Sequence, residues 1–190
     1  PEGAVEMRDA RQALADGDID LCREKLRKAY AKSPNLPPPK LMLARMLLGK
    51  QQFGAGRALL EEVALSHPQD PNVYLLFGKL ALVDGHATDA ALHFDKALAQ
   101  KIPSNWTDAQ KEYLQRECLT GQTTVAELRR DWDQAAELYQ QRVDAKPKDG
   151  QLRDRFAMAL FRGGEHNRAF EQFDLAHLQD ETMNPPEVSM

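Results

Sequence analysis

Residues 78–98 read GKLALVDGHATDAALHFDKAL. Two helix-like runs are split by Asp84-Gly85, and Gly78, Ala90 and Ala97 stand where a helix facing a core would be expected to carry large side chains. A small residue there suits a place where another backbone comes close, so the test is whether the spacing returns. It does. Pro34 and Pro68 lie 34 residues apart, and a further 34 lands on Ile102, beside Pro103. On this period Cys22, Gly56 and Ala90 form one column, Leu26, Leu60 and Phe94 the next, and Ala29, Val63 and Ala97 a third. A fixed period of this length decides the architecture ahead of any local motif.

The small, large, small pattern continues. DWDQAAELYQQRVDAKP, residues 131–147, supplies Ala135, Tyr139 and Pro147, with Arg142 departing from the third column, and GGEHNRAFEQFDLAHLQ, residues 163–179, supplies Ala169, Phe173 and Ala176. Each unit reads as two amphipathic helices joined by a short Gly- or Asp-containing turn, such as DGD at 16–18, DGH at 84–86 and GGEH at 163–166. All eleven prolines fall between units or at the chain ends, as expected when proline in a helix interior removes a hydrogen bond and clashes.

On these residues the chain resembles the tetratricopeptide repeat family. The third unit matches best, with Tyr74, Phe77, Gly78 and Ala81 in its first helix and Ala90, Phe94 and Ala97 in its second. Elsewhere Ala10 stands where Gly78 does, Gly56 where Ala90 does, and Thr123 occupies the glycine column of the fourth unit. The resemblance implies an all-α, right-handed superhelical solenoid of five antiparallel helix pairs. The expected units are residues 3–36, 37–70, 71–102, 103–149 and 150–182, one array over 1–182, followed by a tail or the start of a further unit at 183–190. Pro185, Pro186 and Glu187 suit a helix start, and a chain opening on Pro1 without Met is expected to be a piece of a longer protein.

The fourth unit is offset, because Ile102 to Pro147 spans 45 residues, 34 plus 11. Eleven residues are close to three helical turns, so the insertion lengthens a helix without rotating its faces. The spacing predicts one long helix over 106–130, capped near Asn105 or Thr107, with extra turns that project beyond the stack and carry Trp106 and Tyr113.

Composition narrows the function. The 190 residues are 42% hydrophobic and 28% charged with a net charge of -4, the balance of a folded chain with no concentrated basic surface for nucleic acid. No apolar run is long enough to span a membrane, and no basic and apolar leader opens the chain. The compartment is left open, with the cytoplasm favoured. Cys22 and Cys118 form no CxxC pair and read as buried structural residues. The five histidines include no HxxxH pair and none stands at zinc-finger spacing from a cysteine, and no phosphate-loop or nucleophile-elbow motif occurs. No enzyme, metal or cofactor is expected.

In the family that the chain resembles, the first helices line a concave groove for peptides or proteins. Following the period there gives Arg11, Arg45 and Lys79 as a basic ladder, flanked by Leu14, Leu48 and Leu82 and by Met7, Leu41 and Leu75. Such a groove would take a protein or peptide carrying acidic groups and an apolar face. The basic residues can equally pair with neighbouring acids, and the leucines can pack between units. The ladder ends where Thr124 and Met158 take the column, with Glu117, Glu127 and Asp154 nearby, giving an acidic end. Met7, Arg11, Met42, Asn72 and Leu76 occupy the places of the family's chaperone-tail clamp and match it poorly, so chaperone binding is not expected. The alternative is an architectural or self-associating arm of a larger protein, one that regulates a fused enzyme in one version.

Overall fold

A computed structural model describes residues 2–179, and the tail or further unit expected at 183–190 lies outside the described residues. Among the described residues the secondary structure is entirely helical, in five pairs: α1 (Ala4–Ala15) with α2 (Ile19–Lys32), α3 (Pro39–Gly49) with α4 (Phe53–Ser66), α5 (Pro71–Val83) with α6 (Ala87–Ala99), α7 (Asp108–Arg129) with α8 (Trp132–Ala145), and α9 (Gly150–Arg162) with α10 (His166–Gln179). This is the expected all-α solenoid.

The turn inside each pair repeats one backbone device. Gly17, Gln51, Gly85, Arg130 and Gly164 all have positive φ, between 57° and 87°. Their spacing is the repeat itself, 34, 34, 45 and 34 residues. Three of the five are glycine, which takes this conformation without steric cost, whereas Gln51 and Arg130 hold it against their Cβ atoms. Helix starts are fixed by side chains in several units. Asp18, Asp131 and Asp149 accept hydrogen bonds from the backbone N–H of Leu21, Gln134 and Leu152 at 2.9, 3.2 and 3.0 Å, satisfying donors that the helix leaves free.

The small residues at 78, 90 and 97 do what close backbone approach requires. Phe94 is fully buried, and a Cβ placed on Gly78 would lie 2.6 Å from its Cε1. Gly121, on α7, presses on the tip of the same ring, at Cζ and Cε2, still more closely. One aromatic ring is thus held between glycines of two successive units. Leu26, Leu60, Tyr139 and Phe173 fill the corresponding place elsewhere, each no more than 2% exposed. Thr123, in the glycine column, is also fully buried, and its hydroxyl donates to the Leu119 carbonyl at 2.7 Å. One unit cannot cover its own apolar face, so stacking builds the core.

α7 has 22 residues against 11 to 14 for the other helices. Thr107 caps it in a capping box: the Thr107 hydroxyl accepts from Gln110 N–H, and Gln110 Oε1 accepts from Thr107 N–H at 2.8 Å. The extra turns do not project beyond the stack as expected. Gln110 Nε2 donates to the carbonyl of Asn35 at 2.8 Å, in the loop between α2 and α3, while Trp106 and Tyr113 are half-buried against the Phe94 cluster. The inserted turns fold back toward the first two units because their side chains find polar and apolar partners there.

Candidate functional site

The first helices of the first four pairs meet around one cleft of about 340 Å³. α1 contributes Met7 and Arg11, α3 Leu41, Met42, Arg45 and Met46, α5 Asn72, Leu75 and Leu76, and α7 Tyr113. Leu36 and Pro37 close one side. Leu41 and Leu75 are buried, at 2% and 1% exposure, so they form its floor. Leu14, Leu48 and Leu82, expected beside the basic column, do not line it. Leu14 packs against the α1–α2–α3 core, Leu48 covers Gly56, where a Cβ would lie 2.5 Å from Leu48 Cδ2, and Leu82 packs on the Phe94 cluster.

The three basic residues have three different surroundings. Arg11 is exposed and has no hydrogen bond or ion pair among the described residues. Arg45 lies over the ring of Tyr113, 4.5 Å from its centroid, with no carboxylate partner among the described residues. Lys79 is neutralised by Glu117 at 2.6 Å, and Arg116 approaches the same carboxylate at 3.5 Å. Burial works against ionisation of Glu117, but hydrogen bonds and charge from Lys79 and Arg116 hold its carboxyl below the ordinary value. Lys79 and Arg116 also stand 6.0 and 5.4 Å from the Tyr113 centroid. Three cations therefore share one aromatic ring, and two of them, Lys79 and Arg116, share one carboxylate.

Sequence reasoning missed Tyr113 as a cleft residue although the period contained it. Counting 34 on from Lys79 lands on Tyr113, whereas the offset count of 45 lands on Thr124. An insertion of three whole turns keeps both on one helix face, so both counts are valid. Glu117 arrives in the same way, from the inserted helix onto the third rung.

The acidic end expected near α7 to α9 is largely spent. Glu117 is paired, Glu127 accepts from the Tyr139 hydroxyl at 2.9 Å, and Asp154, whose carboxyl is pushed up by burial against the weaker pull of Arg155, makes no hydrogen bond or ion pair among the described residues. A larger and more open hollow, about 880 Å³, lies where α7 overhangs α8. It is lined by Glu112, Glu117 and Asp149 on one side of the charge balance and Arg116, Arg142 and Lys146 on the other, so it favours neither sign. Among the described residues no group of three or more His, Cys, Asp or Glu is placed to hold a metal ion, and no helix is long and apolar enough to cross a membrane.

Helix pairs at a period of 34, close-packed through a small, large, small column and opening their first helices onto one cleft, define the tetratricopeptide repeat class. Residues 13–80 match the sequence profile of the tetratricopeptide repeat, and the helical solenoid over the described residues has the fold of such repeats, one that serves as a protein-interaction module. Among solved structures it is similar to the MamA protein, at 16% identity with a TM-score of 0.65 over 95% of this chain and 92% of that one. It is also similar to YrrB, described as a TPR protein with an unusual peptide-binding site, at 19% identity with a TM-score of 0.65 over 84% and 76%. Pseudomonas aeruginosa PilF aligns at 14% identity with a TM-score of 0.67 over 99% and 79%. At these identities the likeness is one of fold. No curated protein matches the sequence significantly.

Proposed function

We propose that the cleft between α1, α3, α5 and α7 binds a protein segment that presents an acidic side chain next to an apolar one. The observation that carries this is the pair Arg11 and Arg45, two guanidinium groups that no carboxylate among the described residues neutralises, set on the rim of a cleft floored by Leu41 and Leu75. Arginine offers several N–H donors in a planar fork that matches a carboxylate, and the apolar floor gives the neighbouring side chain a place out of water. Met7 and Met42 line the same floor with unbranched, adaptable side chains. Helices fixed by stacking hold these groups in place before the ligand arrives, which lowers the ordering cost of binding.

Selection from a displayed library of random peptides, run in parallel on the wild type and on an Arg11→Glu, Arg45→Glu variant of equal helicity, tests the reading. Enrichment of Asp or Glu beside Leu, Ile, Met or Phe is expected for the wild type and is lost in the variant. The same peptides recovered with both proteins, or wild-type selection without acidic residues, would sink it.

A further inference from the structure

We infer that Tyr113, carried by the inserted turns of α7, is the specificity-determining positioning residue of this cleft, holding Arg45 ready for an acidic side chain; the inference rests on the ligand class proposed above.

Three observations converge on it. First, the Arg45 guanidinium lies 4.5 Å from the Tyr113 ring centroid, a stacking attraction between a cation and the negative face of an aromatic ring. A guanidinium held over a ring rather than by a carboxylate keeps N–H donors available to a ligand. Second, no carboxylate among the described residues occupies those donors, although Lys79 and Arg116 beside the same ring both reach Glu117. Positive charge therefore exceeds negative charge around Tyr113, and Arg45 is the cation there that has no carboxylate partner among the described residues. Third, the ring itself is anchored. Gln110, one turn earlier, closes the capping box through Oε1 and ties α7 to the Asn35 carbonyl through Nε2, each bond at 2.8 Å. A single side chain thus fixes both the start of the helix and its position across the first two units. Without the inserted turns, Arg45 would have no platform and would sample many rotamers before binding.

This makes the insertion a part of the ligand site that the regular repeat pattern does not supply. It also sets Glu117 as the group that limits the anionic charge the cleft accepts, since that carboxylate takes Lys79 out of play.

Fluorescence anisotropy with two labelled probes reads the idea directly. One probe alternates Leu and Glu over six residues between Gly-Ser flanks; the other has Gln at every Glu position. The full chain is expected to prefer the Glu probe by about tenfold, the scale of a charge-assisted hydrogen bond. Tyr113→Phe, which keeps the aromatic face, should retain that preference. Tyr113→Leu should cut it by about threefold to tenfold while helicity and denaturation midpoint stay near the wild type. Glu117→Gln should raise it. Retention of the preference in Tyr113→Leu, or an equal loss in the Phe and Leu variants, would overturn the role of Tyr113 and leave the acidic-ligand reading standing. Equal binding of the two probes by the wild type, or binding of neither, would sink the acidic-ligand reading and the role of Tyr113 with it.

Discussion

Replacing Gly121 by Ala tests the contact that joins the third and fourth pairs. Phe94 is fully buried, with Gly78 of its own unit against Cε1 and Cδ1 and Gly121 of the next unit against Cζ and Cε2. A Cβ at 121 has no room unless the ring moves, and Gly78 leaves the ring nowhere to go: a Cβ built there would already stand 2.6 Å from it. The substitution gains about 1 kcal/mol of helix propensity. Overpacking a closed core costs about 1–3 kcal/mol, occasionally more. With a contact this short and a ring boxed from both sides, the upper end applies, so the expected net loss is about 2 kcal/mol. Gly54→Ala serves as the control, because nothing lies within 4 Å of a Cβ there; the same chemical change should stabilise by a few tenths to about 1 kcal/mol. Urea unfolding followed by far-ultraviolet circular dichroism gives both values. Phe94→Leu in the Gly121→Ala background supplies the decisive arm. The smaller side chain relieves the clash, and the pair should be less destabilised than the sum of its single changes by about 1 kcal/mol or more. Strict additivity, or Gly121→Ala as stable as the wild type, would refute the account of why this glycine is small.

Three other outcomes follow from the same geometry. Gln51→Gly and Arg130→Gly should each stabilise by up to about 1 kcal/mol, because both hold positive φ against a steric cost of about 1–2 kcal/mol that the flexibility of glycine partly offsets; Gly85→Ala should lose about as much, by the same denaturation assay. The Cys118 thiol is pushed up to about 12 by burial, so at pH 8 only about one molecule in 10⁴ carries its thiolate; a thiol-specific chromogenic reagent should label it only on unfolding, and labelling of the native chain would contradict the burial. Glu117 is held below its ordinary carboxyl value of 4.5 chiefly against burial, by Lys79 and then Arg116. Its contribution is therefore complete above that value and disappears as the pH falls through the lower folded value. The pair is partly exposed, with side chains 38% and 25% accessible, so the stability difference between wild type and Glu117→Gln should stay below about 1 kcal/mol at pH 7 and shrink toward zero as the pH falls through the lowered folded value.

The fold could be read from the sequence because the residues that build it are repeated. Cys22, Gly56, Ala90, Ala135 and Ala169 are individually ordinary, but their shared phase against Leu26, Leu60, Phe94, Tyr139 and Phe173 admits one architecture, and every one of them is buried. What escaped was whatever the insertion changed. Counting 45 past Gly78 reaches Thr123, which is buried in its own hydrogen bond, while Gly121, the residue that meets Phe94, sits two places earlier and outside any column. Equivalence by period also said nothing about pairing. Arg11, Arg45 and Lys79 share a column, yet only Lys79 is neutralised, because Glu117 comes from turns that the first two units have no counterpart for. Leu14, Leu48 and Leu82 show the complementary limit: a helix face is about 100° wide, so a residue one turn along from a cleft residue can belong to the packing between helices instead.

The hydrogen bond from Gln110 to Asn35 joins residues 75 positions apart in the chain. A stack in which units touch only their neighbours behaves as a one-dimensional chain of coupled segments, able to fray from either end and to nucleate anywhere. The folded-back turns of α7 close a loop across that chain. Closing it costs entropy that adjacent contacts do not repay during folding, so the closure raises the contact order and slows the final docking step. Once made, it binds the loop between α2 and α3 and the fourth pair into a single cooperative block, and the ends of that block lose the freedom to open one unit at a time.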